Sequence, residues 1–212
     1  MATLGEYIPN ANTKLLLHLN GNSTDSSGNS NIGTDTSITY SQANGRFGQG
    51  AGFNGTSSKI SYIKGANNYL LNNWTMIAWV KRGSPTSETI PIYQMGNCYF
   101  AFGGVSYWDG SGDRRISDSA TPTDHTRFFC YVWTKSSTGG QKLYRDGVLV
   151  GTEASNTNNS NSYSEVNVGR FASPGNRWFN GAIDEFILEN VVWTPAQIAK
   201  YYSMTKGRFG IV

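Results

Sequence analysis

The sequence predicts an all-β protein: two antiparallel sheets packed face to face as a jelly-roll sandwich, with one short C-terminal helix. Three observations carry this expectation. Short runs rich in Val, Ile, Tyr, Phe and Trp recur along the chain, separated by turns rich in Gly, Asn and Ser. The segment KLYRDGVLVG sets Asp146-Gly147 between two apolar arms, a hairpin signature, because that two-residue turn needs positive φ at both central positions. Only one segment, near the end of the chain, reads as a helix. A length of 212 residues suits one large sandwich without division into two domains.

In chain order, residues 1–13 read as an arm, 14–204 as the sandwich and 205–212 as a tail, with both ends outside the core. KLLLHLN (14–20) is a short strand too apolar for an exposed edge. The turn-rich stretch after it carries Asp25. GRFGQGAGFNG (45–55) sets five glycines around two phenylalanines, as a backbone needing tight bends does. KISYI alternates as a strand. In WTMIAWVK, Trp74, Met76, Ala78 and Val80 share one face and Thr75, Ile77 and Trp79 the other. Residues 90–95 and 98–102 are expected to pair around Gly96-Asn97. YWDGSGDRRISD reads as a loop, followed by a strand over 127–134. After the Asp146-Gly147 hairpin, SNTNNSNSYS (155–164) is a polar low-complexity loop with nothing to bury. Residues 165–171 form another strand, and Pro174-Gly175 a turn.

The closing unit, NGAIDEFILENVVWTPAQIAKYYS (180–203), joins a strand to the helix. Strict alternation puts Ala182, Asp184, Phe186 and Leu188 on one face and Ile183, Glu185, Ile187 and Glu189 on the other. Apolar groups on both faces imply cover on both sides, and the two early acids imply the end of a sheet. Thr194 is the expected N-cap and Pro195 the first helical residue, with the helix running to Ser203.

Composition excludes some functions. Charged residues are only 15% of the chain and the net charge is +3 with no basic run, which argues against a nucleic-acid partner. No apolar window is long enough to insert into a membrane. The first residues lack the basic start and apolar core of a secretion signal, so synthesis and retention in a cytoplasm are expected. On that ground Cys98 and Cys130, each inside an apolar aromatic run, are expected to be buried and reduced. The sequons at Asn22, Asn54, Asn73 and Asn158 are expected to be unused.

LLLHLNGNSTDSSGN, GRFGQGAGFNG, WTMIAWVK, KLYRDGVLVG, VNVGR and FNGAIDEFILENVVWTPAQIAKYY follow one another as in laminin-G-like domains of the concanavalin A-like superfamily. The resemblance covers roughly residues 14–204 and is closest to domains carried by phage and bacterial proteins. It implies a lectin-like sandwich that is not an enzyme. Its implied role is a structural and binding component of a bacteriophage virion, a capsid decoration or tail-associated protein. The implied partners are capsid or tail proteins of the same particle, self-association, and a cell-surface glycan. The alternative is a carbohydrate-binding module of a bacterial adhesin or enzyme, at the cell surface or secreted within a larger protein.

The resemblance also directs attention to sites. Asp25 and Asp184 match family positions where structural calcium can bind, and Asn54 is a possible carbonyl donor. Against this, Asp25 can form an Asx turn and Asp184 can accept backbone N–H groups. DGSGD (109–113) is a weaker calcium-loop pattern. Tyr107 and Trp108 open a Gly- and Asp-rich stretch where rings can stack on a sugar, or cap the edge of the core. Trp74, Trp79, Trp133 and Trp193 are expected in the core. Catalysis has little support. His18 and His125 adjoin no nucleophile, and Asp184-Glu185 with Glu189 lacks the Glu-x-Asp-x-x-Glu spacing of the superfamily's glycosidases.

Overall fold

The computed structural model describes residues 6–45, 48–63, 73–83, 90–96, 98–108, 112–154, 165–172 and 175–211. The strands are β1 (Thr13–Leu17), β2 (Gly33–Thr36), β3 (Thr39–Ser41), β4 (Gly50–Asn54), β5 (Lys59–Ile63), β6 (Trp74–Arg82), β7 (Ile90–Met95), β8 (Cys98–Phe102) and β9 (Gly104–Trp108). They continue as β10 (Asp113–Ser117), β11 (Phe129–Ser136), β12 (Gly140–Arg145), β13 (Val148–Glu153), β14 (Glu165–Val168), β15 (Arg170–Phe171), β16 (Arg177–Trp178) and β17 (Asn180–Glu189). The helix α1 (Pro195–Thr205) and a 3-10 turn, Lys206–Phe209, follow.

Two antiparallel sheets face each other. Sheet I runs β13-β12-β11-β6-β17-β4-β3, with β1 also paired to β17. Sheet II runs β10-β9-β8-β7-β14-β5-β2, and β15 and β16 form a small separate hairpin. Alternation sends every second side chain into the gap. Trp74, Trp133 and Phe186 from sheet I meet Tyr93, Phe100 and Tyr107 from sheet II, all fully buried. Trp74 packs edge-on against Trp133 at 4.5 Å and Phe186 stacks on Tyr93 at 4.7 Å.

Sheet I has a second core on its other face. Leu16, Ile77, Val132 and Ile187 are apolar and point away from sheet II, so they need cover. Ile198, Tyr201 and Phe209 supply it. The helix starts where the sequence places it: Thr194 Oγ1 accepts from Gln197 N–H at 3.3 Å, and Gln197 Oε1 accepts from Thr194 N–H at 2.8 Å. It ends two residues later than expected, at Thr205, because Ile198, Tyr201 and Thr205 keep one buried face continuous. The Asp146-Gly147 turn has φ of 51° and 79°, as its hairpin requires. Asp146 also closes the turn, accepting from Cys130 N–H at 2.9 Å and pairing with Arg127 at 3.1 Å.

Several expectations are corrected. Strict alternation fails in β17, where a bulge at Asp184-Glu185 shifts the register against β6 and gives Glu185 a φ of 75°. Ile183, Phe186 and Leu188 therefore share the inter-sheet face, while Ala182 and Ile187 lie under the helix. The two acids are not at a sheet end but in mid-strand, 0% and 1% exposed. The tail is not outside the core either: Phe209 stacks on Trp79 at 3.9 Å and Arg208 donates to Glu185 at 3.0 Å. On the arm, Tyr7 lies 5.8 Å from Trp193 and donates to Glu189 at 2.7 Å. Residues 1–5 lie outside the described residues.

Residues 104–108 and 113–117, read as part loop, pair as β9 and β10, with the charged DRRIS segment on the sheet edge where water accepts it. GTDT and TYS pair as short strands despite weak patterns. The strand over 165–171 breaks at Gly169, where φ is 83° and an added Cβ would lie 2.2 Å from the Phe53 ring. Cys98 and Cys130 are buried thiols outside any disulfide, one in each sheet. Asn97, Asn158, Pro174 and the whole 155–164 loop lie outside the described residues. Among the described residues, no helix is long and apolar enough to cross a membrane.

Candidate functional site

The outer face of sheet II carries a continuous polar row. Strand pairing aligns Thr34, Ser61, Asn167, Gln94, Tyr99, Ser106 and Arg115 across all seven strands. These residues alternate with core residues such as Tyr62, Val166, Met95, Phe100, Tyr107 and Ile116, so they point the other way. In mid-sheet the row is buried and bonded to itself. Ser61 Oγ donates to Asn167 at 3.0 Å and Gln94 Nε2 donates to Gly96 O at 3.0 Å.

Towards the β8–β10 edge the same row opens into a groove of about 500 Å³. Tyr99 and Ser106 lie on its floor, Trp108, Asp113 and Arg115 on the edge side, and Phe171 and Arg177 come from the β15–β16 hairpin. Trp108 is 43% exposed. Tyr99 meets Phe171 edge-on at 5.1 Å, so one ring braces the other. Burial pushes the Tyr99 hydroxyl pKa up, which keeps it neutral. Asp113 accepts from Ser106 Oγ and pairs with Arg115 at 2.8 Å. An aromatic face beside fixed donors and acceptors is the chemistry that holds a sugar ring: its C–H face stacks while its hydroxyls bond.

Only one of the two ring candidates reaches this groove's surface. Trp108 does; Tyr107, its neighbour on the strand, is 0% exposed and faces the core, so it offers no stacking face. Alternation along β9 sets that difference. Asp113 and Arg115 escape sequence reading because 113–117 does not announce itself as a strand, while Tyr99, Phe171 and Arg177 reach the groove from other strands. The alternation of Ser106 and Trp108 with Asp113 and Arg115 was the available signal.

The three metal candidates do not converge. Both Asp25 oxygens are engaged by β1 and its own loop: Oδ1 accepts from Leu16 and Ser27 N–H, and Oδ2 from the Ser27 hydroxyl and Asn31 N–H and Nδ2. Asn54 Oδ1 likewise accepts from Thr56, Ser57 and Ser58 N–H. Asn54 sits opposite Asn180 at the start of β17, whereas Asp25 bridges to Leu17, which pairs with Phe186. Six residues of strand separate those positions, roughly 20 Å. Asp184 is fully buried in the bulge. Asp25 and Asn54 therefore cannot share one calcium ion, which needs several oxygens around one point.

A different cluster lies behind sheet I. Carboxylate and ring atoms of Glu6, His18 and Glu185 lie within 4.8 Å of one another. Arg208 already donates to Glu185 there, and His18 Nδ1 sits 3.0 Å from the same carboxylate. The hydrogen bond that His18 makes to the Glu185 carboxylate raises the His18 pKa, against the opposing effect of burial. His18 is thus a paired structural histidine. Glu189 is also buried, accepting from Tyr7 and Thr13 hydroxyls at 2.7 and 2.6 Å. Both acids lie under the helix and termini, not in the groove.

Comparison with known proteins fits this architecture. Domain 4 of AbnA, a GH43 extracellular arabinanase from Geobacillus stearothermophilus, was solved in complex with arabinotriose. It is 18% identical with a TM-score of 0.65, covering 90% of this chain and 98% of that one. The binding domain of botulinum neurotoxin DC, solved with rat synaptotagmin II, is 12% identical with a TM-score of 0.69, covering 95% of this chain and 52% of that one. The binding domain of Paraclostridial mosquitocidal protein 1 is 14% identical with a TM-score of 0.69, covering 90% and 52%. The chain thus spans about half of each of these toxin structures and nearly all of the arabinanase domain. At these identities the likeness concerns the fold. No curated protein matches in sequence. A family model, Laminin_G_3, matches residues 54–199, and on that match the chain belongs to the concanavalin A-like lectin/glucanases superfamily.

Proposed function

We propose that this lectin-like sandwich is a non-catalytic glycan-binding protein whose ligand lies in the groove on the outer face of sheet II. The observation that carries the reading is the half-exposed Trp108 set beside Asp113 and Arg115 over a polar floor. The acids that most resemble a catalytic set, Asp184, Glu185 and Glu189, are at most 1% exposed and lie outside this groove. The arabinotriose complex of the arabinanase domain supports a sugar as ligand class for this fold. For the biological setting we propose display on a bacteriophage particle as an accessory component, which the resemblance to phage-borne domains supports.

A panel of immobilised oligosaccharides tests the ligand class. The intact chain is expected to be retained on a subset, and Trp108→Ala to weaken that retention about tenfold or more through loss of the stacking face. Retention unchanged by Trp108→Ala overturns the groove assignment. Presence of the chain in purified particles tests the setting; its absence from them sinks that reading and leaves the glycan site standing.

A further inference from the structure

A separate cleft, of about 700 Å³, lies between the N-terminal arm and α1, where β17 ends. The arm contributes Tyr7 and Ile8 to its walls, the helix contributes Tyr201 and Met204, and the segment after β17 contributes Trp193. The three rings converge: Tyr7 lies 5.8 Å from Trp193 and 6.2 Å from Tyr201, and Trp193 lies 5.6 Å from Tyr201. Ile8 and Met204, one from each wall, are 70% and 63% exposed.

One buried charge sits among these rings. Glu189 ends β17 between Thr13 of β1 and Thr75 of β6, and it lines the cleft at 1% exposure. Its two oxygens differ. Oε1 accepts from the hydroxyls of Tyr7 and Thr13 at 2.7 and 2.6 Å. Oε2 is buried and has no hydrogen-bond partner. Leaving half of a buried carboxylate unsatisfied is costly, more so than for a neutral group. Burial and the hydrogen bond to Glu189 push the Tyr7 hydroxyl pKa up, so Tyr7 stays a neutral donor and brings no compensating charge. Among the described residues Glu189 has no ion pair, and Lys200, the cation on the helix wall, is exposed.

We infer that this cleft binds a primary alkylammonium ion, its N–H groups towards the Glu189 carboxylate, its charge against the rings and its alkyl chain along Ile8 and Met204. An ammonium brings donors for the open oxygen and a charge opposite to it. Aromatic faces attract such a cation, indole most strongly. The alkyl chain takes exposed apolar surface out of water. A neutral alcohol of the same shape brings no charge, and an alkanoate repels the acid. The inference is independent of the groove on sheet II, since the site lies in the cover of sheet I.

The test titrates the full chain, at neutral pH and constant ionic strength, with n-hexylamine, hexan-1-ol and hexanoate. Tryptophan indole NMR signals report, with Trp193 in the cleft and Trp108 in the sheet II groove as the control. Hexylamine is expected to move Trp193 saturably while Trp108 stays, hexan-1-ol to bind about tenfold more weakly, and hexanoate not to bind. Glu189→Gln keeps an acceptor for Tyr7 and Thr13 but removes the charge, and should bring hexylamine down to the alcohol's affinity. Four results overturn the proposal: equal affinity for amine and alcohol, a preference that survives Glu189→Gln, movement of Trp108 together with Trp193, or no movement of Trp193 with any probe. The last of these leaves Oε2 to a buried water. If Glu189→Gln fails to fold, the matched probes on the intact chain decide, because preference for the cation over its neutral isostere reads the charge directly.

Discussion

The two sheets differ most on the faces that look away from each other. Across sheet I the outward row is Leu16, Ile187, Ile77, Val132 and Tyr144, all apolar. Across sheet II the corresponding outward row is Thr34, Ser61, Asn167, Gln94, Tyr99, Ser106 and Arg115, all polar or amphipathic. Hydrophobic burial explains the consequence. The first row cannot stand in water, so the chain's own helix and termini are folded down on it. The second row needs no such cover, and at the β8–β10 edge it remains available. One face is spent on stability and the other is left for a ligand, so substitutions on the two should fail in different ways.

The largest effect is expected from the covering tail. Phe209→Ala removes a ring stacked on Trp79 and packed 5.2 Å from Phe128, and should cost about 3–5 kcal/mol in denaturant unfolding. Deleting 206–212 should cost more, since it also takes Arg208 from the buried Glu185. A tail deletion with unchanged stability would break the contrast outright.

Next in size is the hairpin that borders this face. Gly147→Val forces a β-branched side chain to a φ of 79° and brings its Cβ to 3.2 Å from Tyr202. A loss of about 1–2 kcal/mol is expected, read as a lower denaturation midpoint.

A smaller effect follows from His18. Its folded pKa is raised above the ordinary 6.5 by Glu185. The associated stabilisation is fully present below that ordinary value and is lost as pH rises through the raised one. The melting temperature of the wild type, compared with His18→Gln, should therefore fall across that window. A pH-independent difference between the two would show that the pair contributes no proton-linked stability.

Much of this contrast was legible in the sequence, for physical reasons that differ from element to element. Trp74 to Val80 alternates strictly because both its faces are covered, and its two face assignments hold. Asp146-Gly147 and Thr194-Pro195 are legible because each depends on local backbone chemistry. The β17 bulge was not legible: only the distant partners His18 and Arg208 make a buried Glu185 tolerable, and no spacing announces them. The tail's cover role was not legible for a similar reason, since Phe209 acquires it only once the fold sets Trp79 behind sheet I. In the groove, Trp108 could be singled out as a ring near a turn. Separating it from Tyr107 required the register of β9, and Phe171 and Arg177 arrive from a hairpin some sixty residues later in the chain.

The smallest expected change in stability belongs to sheet II. Trp108→Ala should alter unfolding by within about 0.5 kcal/mol, because a partly exposed ring at the end of β9, facing the groove, holds nothing in place. A loss comparable to that of Phe209→Ala would mean that this face, too, is part of the core.

The most direct test of which face serves a ligand is a titration followed through the six tryptophan indole N–H signals. With the best-retained oligosaccharide from the panel, the Trp108 signal should move saturably, while those of Trp79 and Trp193, under the helix and termini, stay in place. Movement of Trp193 or Trp79 with Trp108 stationary would place the ligand on the covered face of sheet I and contradict the account.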